Sequence, residues 1–275
     1  MLGHASRPAL RYHGGKWKLA KRIIEHFPAH RIYVEPFGGA ASVLLQKPRV
    51  YAEVYNDLDG EIVNVFRVMR DKEQARELEI SLRMTPFSRA EFANAREKDA
   101  RDPVEAARRT VIKSFMGFGS AACNREHRTG FRTKSFRSGT SPANDWRNYP
   151  DHIQHFTNRF QGVCIESRPA VELISSHDRE DVLFYVDPPY PMSTRHGYDC
   201  YRHEMSDKDH EDLADALHRV SGMVVLSGYR CPLYDRLFEG WSRQDLSAFA
   251  DGARPRVECL WISPNAKKGS RERLL

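Results

Sequence analysis

Val182-Leu183-Phe184-Tyr185-Val186-Asp187-Pro188-Pro189-Tyr190 runs five apolar or aromatic residues straight into an acid, two prolines and a tyrosine. A run this short, β-branched and aromatic, and apolar on both faces, predicts a buried strand of a parallel sheet. The prolines end it, because neither donates to a ladder and Pro189 biases Pro188 away from helix. A stiff loop therefore leaves the carboxyl end of the strand, where open α/β sheets place their ligands. On that loop stand the Asp187 carboxylate, carbonyls released from sheet pairing, and the Tyr190 ring. Two acceptors beside an aromatic face suit a planar group that carries an amino group. The tetrapeptide alone also reads as a rigid turn, so the rest of the chain has to decide.

Upstream, Ile32-Tyr33-Val34-Glu35-Pro36-Phe37-Gly38-Gly39-Ala40-Ala41-Ser42 predicts a strand, a glycine turn and a helix, as in a nucleotide-type cofactor site. It is not the G-x-G-x-x-G of dinucleotide enzymes, and no P-loop is present. Glu35 puts a negative charge where those folds hold a pyrophosphate, which suits a cationic cofactor. A purely structural turn remains the other reading of this stretch. Before it, Tyr12-His13-Gly14-Gly15-Lys16 offers close backbone approach and a cation, followed by a short helix over 19–27. After it, the strand from Tyr51 to Tyr55 ends in Asn56-Asp57, about 20 residues past the glycine turn, where Rossmann-type folds hold a ribose hydroxyl. Asp57 can equally cap the helix that follows, in which Ile62, Val65, Phe66 and Met69 share one face.

From 70 to 159 the pattern changes to charged helices, over 73–83, 88–98 and 102–117. A basic loop follows them, with Arg125, Arg128, Arg132, Lys134 and Arg137 interleaved with Phe131 and Phe136. Basic side chains reach phosphates and guanine edges, and aromatic ones stack on bases or wedge between them. A solvated charged loop is the competing reading. His152 and His155 have no third ligand nearby and read as helix surface. The strand pattern resumes at Gly162 to Ile165, closed by Glu166-Ser167, then at Asp187 as above. A polar-aromatic loop over 192–203, a helix over 207–220 and strands near 223–226, 243–247 and 257–262 complete the chain.

The 275 residues can bury a full core; 40% are hydrophobic and 29% charged, the balance of an ordinary soluble protein. No run of 18 apolar residues occurs, and the basic first 25 residues are unlike a signal peptide, so a cytoplasmic location is expected. Five scattered cysteines without a CxxC pair suit reduced thiols better than a disulfide frame or zinc site. A net charge of +6 fits a polyanionic partner.

Taken together, Tyr12-His13-Gly14-Gly15-Lys16, Val34 to Ala40, Asn56-Asp57, Glu166-Ser167, Asp187-Pro188-Pro189-Tyr190 and Leu226-Ser227-Gly228-Tyr229 make the chain resemble the Dam-like DNA adenine-N6 methyltransferases over nearly its whole length. The order of these elements is that family's alpha arrangement, and phage-borne members read closest. The resemblance implies an α/β fold: a Rossmann-like S-adenosylmethionine-dependent methyltransferase sheet from 1–69 and 160–275, with a mainly helical DNA-recognition insertion at 70–159. Tyr12 and Lys16 would meet the cofactor's amino-acid end, Glu35 to Gly39 its sulfonium and backbone cradle, Asp57 its ribose, with Glu166 and Ser167 also among the cofactor-binding residues. Asp187, Pro188, Pro189 and Tyr190 would grip the target base, flipped out of double-stranded DNA, with no metal. Alternatives are an N4-cytosine methyltransferase, which more often has serine in place of Asp187, an RNA or protein-amide methyltransferase, and a DNA-binding relative without catalysis. The insertion follows Dam only loosely, so no target site carries over.

Overall fold

The computed structural model describes residues 6–97, 100–119, 129–133, 141–195, 201–249 and 255–271. A short helix α1 (Ala20–Ile24) precedes β1 (Ile32–Glu35) and β2 (Ala52–Asn56). Then come α2 (Gly60–Arg70), α3 (Lys72–Met84), α4 (Arg89–Asn94), α5 (Pro103–Met116), α6 (Pro142–Arg147) and α7 (Ile153–Phe160). The chain goes on through β3 (Val163–Glu166), α8 (Ala170–His177), β4 (Val182–Val186), α9 (Asp207–Arg219) and β5 (Met223–Gly228). It ends with α10 (Pro232–Leu237), β6 (Ser242–Phe249), β7 (Pro255–Ile262) and α11 (Pro264–Arg271).

Among the described residues the strands form one sheet in the order β3-β2-β1-β4-β5-β7-β6. The first five are parallel, and β7 runs antiparallel to both its neighbours. All five residues of β4 are buried, as a strand covered on both faces requires. Alternation sends Leu183 and Tyr185 into one apolar core and Val182, Phe184 and Val186 into the other. Strand order reverses between β1 and β4, where Ile32 pairs with Val182 and Val34 with Phe184. That reversal opens a crevice at the strands' carboxyl ends. Glu35 and Asp187 leave the sheet there on adjacent strands.

Two local expectations need correction. The segment after Gly38-Gly39 is not a regular helix but a series of turns over 39–47, with Ala41 N–H donating to Gly38 O at 2.7 Å and Leu45 N–H to Ala41 O at 2.9 Å. Ala41 sits at φ 53, the left-handed region, which a right-handed helix cannot include. The cap of α2 is Asp59, whose side chain accepts from Glu61 N–H at 3.0 Å, and not Asp57.

The insertion forms consecutive helices, with Asp71, Ser88 and Asp102 capping α3, α4 and α5. Its apolar residues Leu78, Phe92, Val111, Trp146 and Phe156 join the same core as Tyr33 and Leu183, so the core crosses the boundaries drawn at 69/70 and 159/160. Of the basic loop, Arg125, Arg128, Lys134, Phe136 and Arg137 lie outside the described residues. Phe131 bridges to Gly117 at the end of α5, and its ring packs 5.0 Å from that of Phe87 and 6.0 Å from that of Phe92. A ring held that way anchors the loop to the helices. Arg132 N–H donates to Met116 O at 2.7 Å; burial lowers the basicity of its guanidinium, against the nearby charge of Asp145.

Candidate active site

A cavity of about 560 Å³ opens at the carboxyl ends of β1, β2 and β4. Glu35, Asp57 and Asp187, the acids expected at those three strand ends, all line it. So do Tyr12, Lys16, Pro36, Phe37, Gly38, Gly39 and Pro189.

Asp187 is held through one of its two oxygens. Oδ1 receives the Lys16 ammonium at 2.9 Å, the Ser227 hydroxyl at 2.8 Å and the Tyr190 hydroxyl at 3.1 Å. Among the described residues no donor reaches Oδ2. Ser227 is in turn 3.1 Å from the buried Tyr185 hydroxyl. Lys16 also donates to Gly14 O at 2.8 Å and lies 4.8 Å from the Tyr190 ring centre. Burial works against its charge, but Asp187, Glu258 and the Tyr201 hydroxyl outweigh that and hold its pKa above the usual lysine value. Its ammonium is thus engaged with the acid after β4 while the residue still lines the cavity. Tyr190 is buried; its hydroxyl meets Glu258 as well as Asp187, and its ring meets Tyr229 edge-on at 4.8 Å. Burial, then the two carboxylates, raise its pKa well above the tyrosine range. Pro188 is buried outside the cavity lining.

Glu35 is 2% exposed, and burial pushes its carboxyl up to about 8, helped by the charge of Asp187 and opposed by the Tyr33 hydroxyl at 3.1 Å. A carboxyl in that condition gains most from a cation placed beside it. Asp57 is pushed up to about 6, again by burial, and both its oxygens accept backbone N–H groups, from Gly39 and Asp59, each at 2.8 Å. It therefore pins the glycine turn to the end of β2. Gly39 has φ +45 and its neighbour Gly38 leaves no room for a side chain: a Cβ there would sit 2.1 Å from the Tyr55 ring. The Tyr55 hydroxyl closes the unit by donating to Gly39 O at 2.7 Å.

Glu166 and Ser167 do not line the cavity; the wall on that side begins at Pro169 and continues through Glu172. Glu166 pairs with Asn56 in the sheet, and Asn56 braces three segments by donating to Pro36 O and Arg168 O and accepting from Arg168 N–H. Three further residues were not singled out from the sequence. Asp59 lines the cavity with Oδ2 buried and unpartnered among the described residues, while Oδ1 meets Arg202 at 3.0 Å. Arg202 holds Glu61 as well, which ties the cavity-lining stretch from Tyr201 to Met205 to the start of α2. Glu258 on β7 is 3% exposed and reaches the Asp187 cluster from 68 residues away. No grouping of three metal-ligating side chains occurs among the described residues.

Residues 12–248 match the D12 class N6 adenine-specific DNA methyltransferases. The chain belongs to this family. Its relatives include the DNA adenine methylase of Vibrio cholerae, 25% identical over 243 residues that span 85% of each chain. A type II methyltransferase of Lactococcus lactis subsp. cremoris is 25% identical over 88% of each chain. The DNA adenine methylase of Escherichia coli K12 is 26% identical over 71% of this chain and 69% of its own. As a D12-class enzyme the chain methylates adenine N6 in DNA, and the N4-cytosine alternative falls away. Membership implies a methyl donor as co-substrate. No helix among the described residues is long and apolar enough to cross a membrane.

Proposed function

We propose that the donor is S-adenosylmethionine, that the substrate is double-stranded DNA, and that the target adenine is flipped out of the helix to reach Asp187. The observation that carries this reading is the pinned carboxylate: the Lys16 ammonium and the Ser227 hydroxyl both end on Oδ1 of Asp187, and among the described residues no donor takes Oδ2, in the cavity lining that also includes the buried Glu35.

The donor set fits the cofactor. Buried Glu35, with its raised pKa, calls for a cation, and a sulfonium is one. Bound there, S-adenosylmethionine supplies an electrophilic methyl group whose sulfur departs as a neutral thioether. Gly38 and Gly39 give close backbone approach, Asp57 serves the ribose, and Tyr12, Pro36 and Phe37 border the pocket.

Adenine N6 is a poor nucleophile because its lone pair is delocalised into the ring. Asp187 Oδ2 and the Pro188 carbonyl accept its N–H bonds and draw it toward tetrahedral geometry, which frees the lone pair for in-line attack. The N6 proton then leaves to Asp187 or to solvent. Positioning and preorganised acceptors supply the catalysis. Flipping costs a few kcal/mol of unstacking, and stacking on the Tyr190 ring returns roughly 1–3 kcal/mol. Arg125, Arg128, Arg132, Lys134 and Arg137 serve phosphates and base edges, with Phe131 fastening their loop to the helices.

The test uses unmethylated genomic DNA, sequenced for modified adenines after incubation with enzyme and S-adenosylmethionine. Wild type should mark adenines. Asp187→Ala should mark none while still binding cofactor, and Asp187→Asn, which keeps an acceptor oxygen but loses the charge, should be severely slowed. Even a tenth of wild-type turnover in Asp187→Ala would show that the acceptor is some other group.

A further inference from the structure

The end of β7 is inside out. Val257 is 51% exposed, while the next residue, Glu258, is 3% exposed. A strand that turns its valine to solvent and its acid to the core runs against the ordinary cost of burying charge. Alternation puts Glu258 on the same face as Leu260 and Ile262, whose core also contains Ala20 and Ile23 of α1. On that face it meets the catalytic cluster. The Tyr190 hydroxyl donates to Glu258 Oε1, and the Lys16 ammonium lies 3.9 Å away. Glu258 itself does not line the cavity.

Two carboxylates, Asp187 and Glu258, share one ammonium, and one phenolic proton lies between them. A single O–H donates fully to only one acceptor at a time. Engaged on Glu258, it is withheld from Asp187, which keeps more of its charge for the incoming amino group. The same bond fixes where the Tyr190 ring stands relative to Lys16, 4.8 Å from its centre.

We propose that Glu258 is a positioning residue of methyl transfer: through the Tyr190 hydroxyl it holds the ring in place and diverts that proton from Asp187. The proposal rests on the assignment of Asp187 as the acceptor of the N6–H bonds. It makes the hydroxyl of Tyr190 as necessary as its ring.

The experiment measures single-turnover transfer of a labelled methyl group from S-adenosylmethionine to unmethylated genomic DNA, beside calorimetry of cofactor binding. The variants are Glu258→Gln, Tyr190→Phe, the double variant and Asp187→Ala. Glu258→Gln and Tyr190→Phe should each slow transfer about tenfold or more, with cofactor affinity within about twofold of wild type. Because Glu258→Gln weakens, by loss of charge, the contact that Tyr190→Phe removes, the double variant should be no slower than the slower single variant. A wild-type rate in Glu258→Gln, a double loss equal to the product of the singles, or a loss that appears in cofactor affinity would each overturn the proposal. If Glu258→Gln fails to fold, Tyr190→Phe reads the same contact from its other side, and a wild-type rate there also overturns it. Activity in Asp187→Ala would instead reject the acceptor assignment, and this proposal with it.

Discussion

At the scale of single residues, Glu35 ties the site to pH. Its carboxyl titrates at about 8 because it is buried and faces the charge of Asp187. An ordinary glutamate titrates near 4.3, so in the ligand-free protein this group's share of stability is present at low pH and is lost as pH rises through about 8. A cation beside it favours the ionised form. Binding of S-adenosylmethionine should therefore release a proton below pH 8, and affinity should climb with pH and level off above it. The cofactor's own α-amino group titrates at about 7.7–8.0, so the comparison has to be with Glu35→Gln, which carries that background alone. Calorimetry between pH 6 and 9 should show wild-type affinity rising by up to tenfold per unit over the Glu35→Gln curve, with the variant weaker at the alkaline end. Parallel curves would mean that Glu35 stays neutral in the complex and has no part in meeting a sulfonium.

At the scale of elements, the glycine turn between β1 and β2 acts as one rigid piece. The Gly39 N–H and carbonyl are tied to Asp57 and Tyr55, and Gly38 N–H donates to Asn56 O at 2.7 Å. A side chain at Gly38 would run into the buried Tyr55 ring. Gly38→Ala should accordingly destabilise the protein without any cofactor present, by about 1–3 kcal/mol, the usual cost of overpacking. A thermal melt of the ligand-free variant matching wild type would show that Tyr55 moves aside freely. The turn illustrates what could be read in advance. Strands β1, β2 and β4 were legible because a parallel strand is a short, largely apolar run that must stop at a polar residue, and those stops, Glu35, Asp57 and Asp187, line the cavity. The turns over 39–47 were not, since Ala41 at positive φ leaves no mark in the residue string. Glu258 was hidden for another reason. An acid after a valine near a sheet edge reads as the solvent face of a strand, and only the register of β7 against β5 turns it inward.

For the whole molecule, charge is divided by place. The acids Glu35, Asp57, Asp59 and Asp187 gather around the cavity, whereas Arg125, Arg128, Arg132, Lys134 and Arg137 fall within thirteen residues of the insertion. The loop's described part is fastened to the protein at Gly117 and by Arg96, which donates to Thr129 O at 2.9 Å. The neighbouring helices α4 and α5 share a continuous core with the sheet, so the loop's described part is braced against the same body that holds Asp187. Cations bound to phosphates release counterions, and affinity for duplex DNA should fall steeply as salt rises. Replacing one phosphate-contacting residue should weaken binding to every sequence and flatten the slope of log affinity against log salt by about one unit. Replacing a base-reading arginine should cost about 1–3 kcal/mol at the target and loosen the choice of site. The measurement is duplex affinity against salt for wild type and for a variant with all five cations neutralised. The variant should bind more weakly at low salt with a shallower slope. Coincident salt curves would place the DNA surface elsewhere and leave the loop a solvated turn.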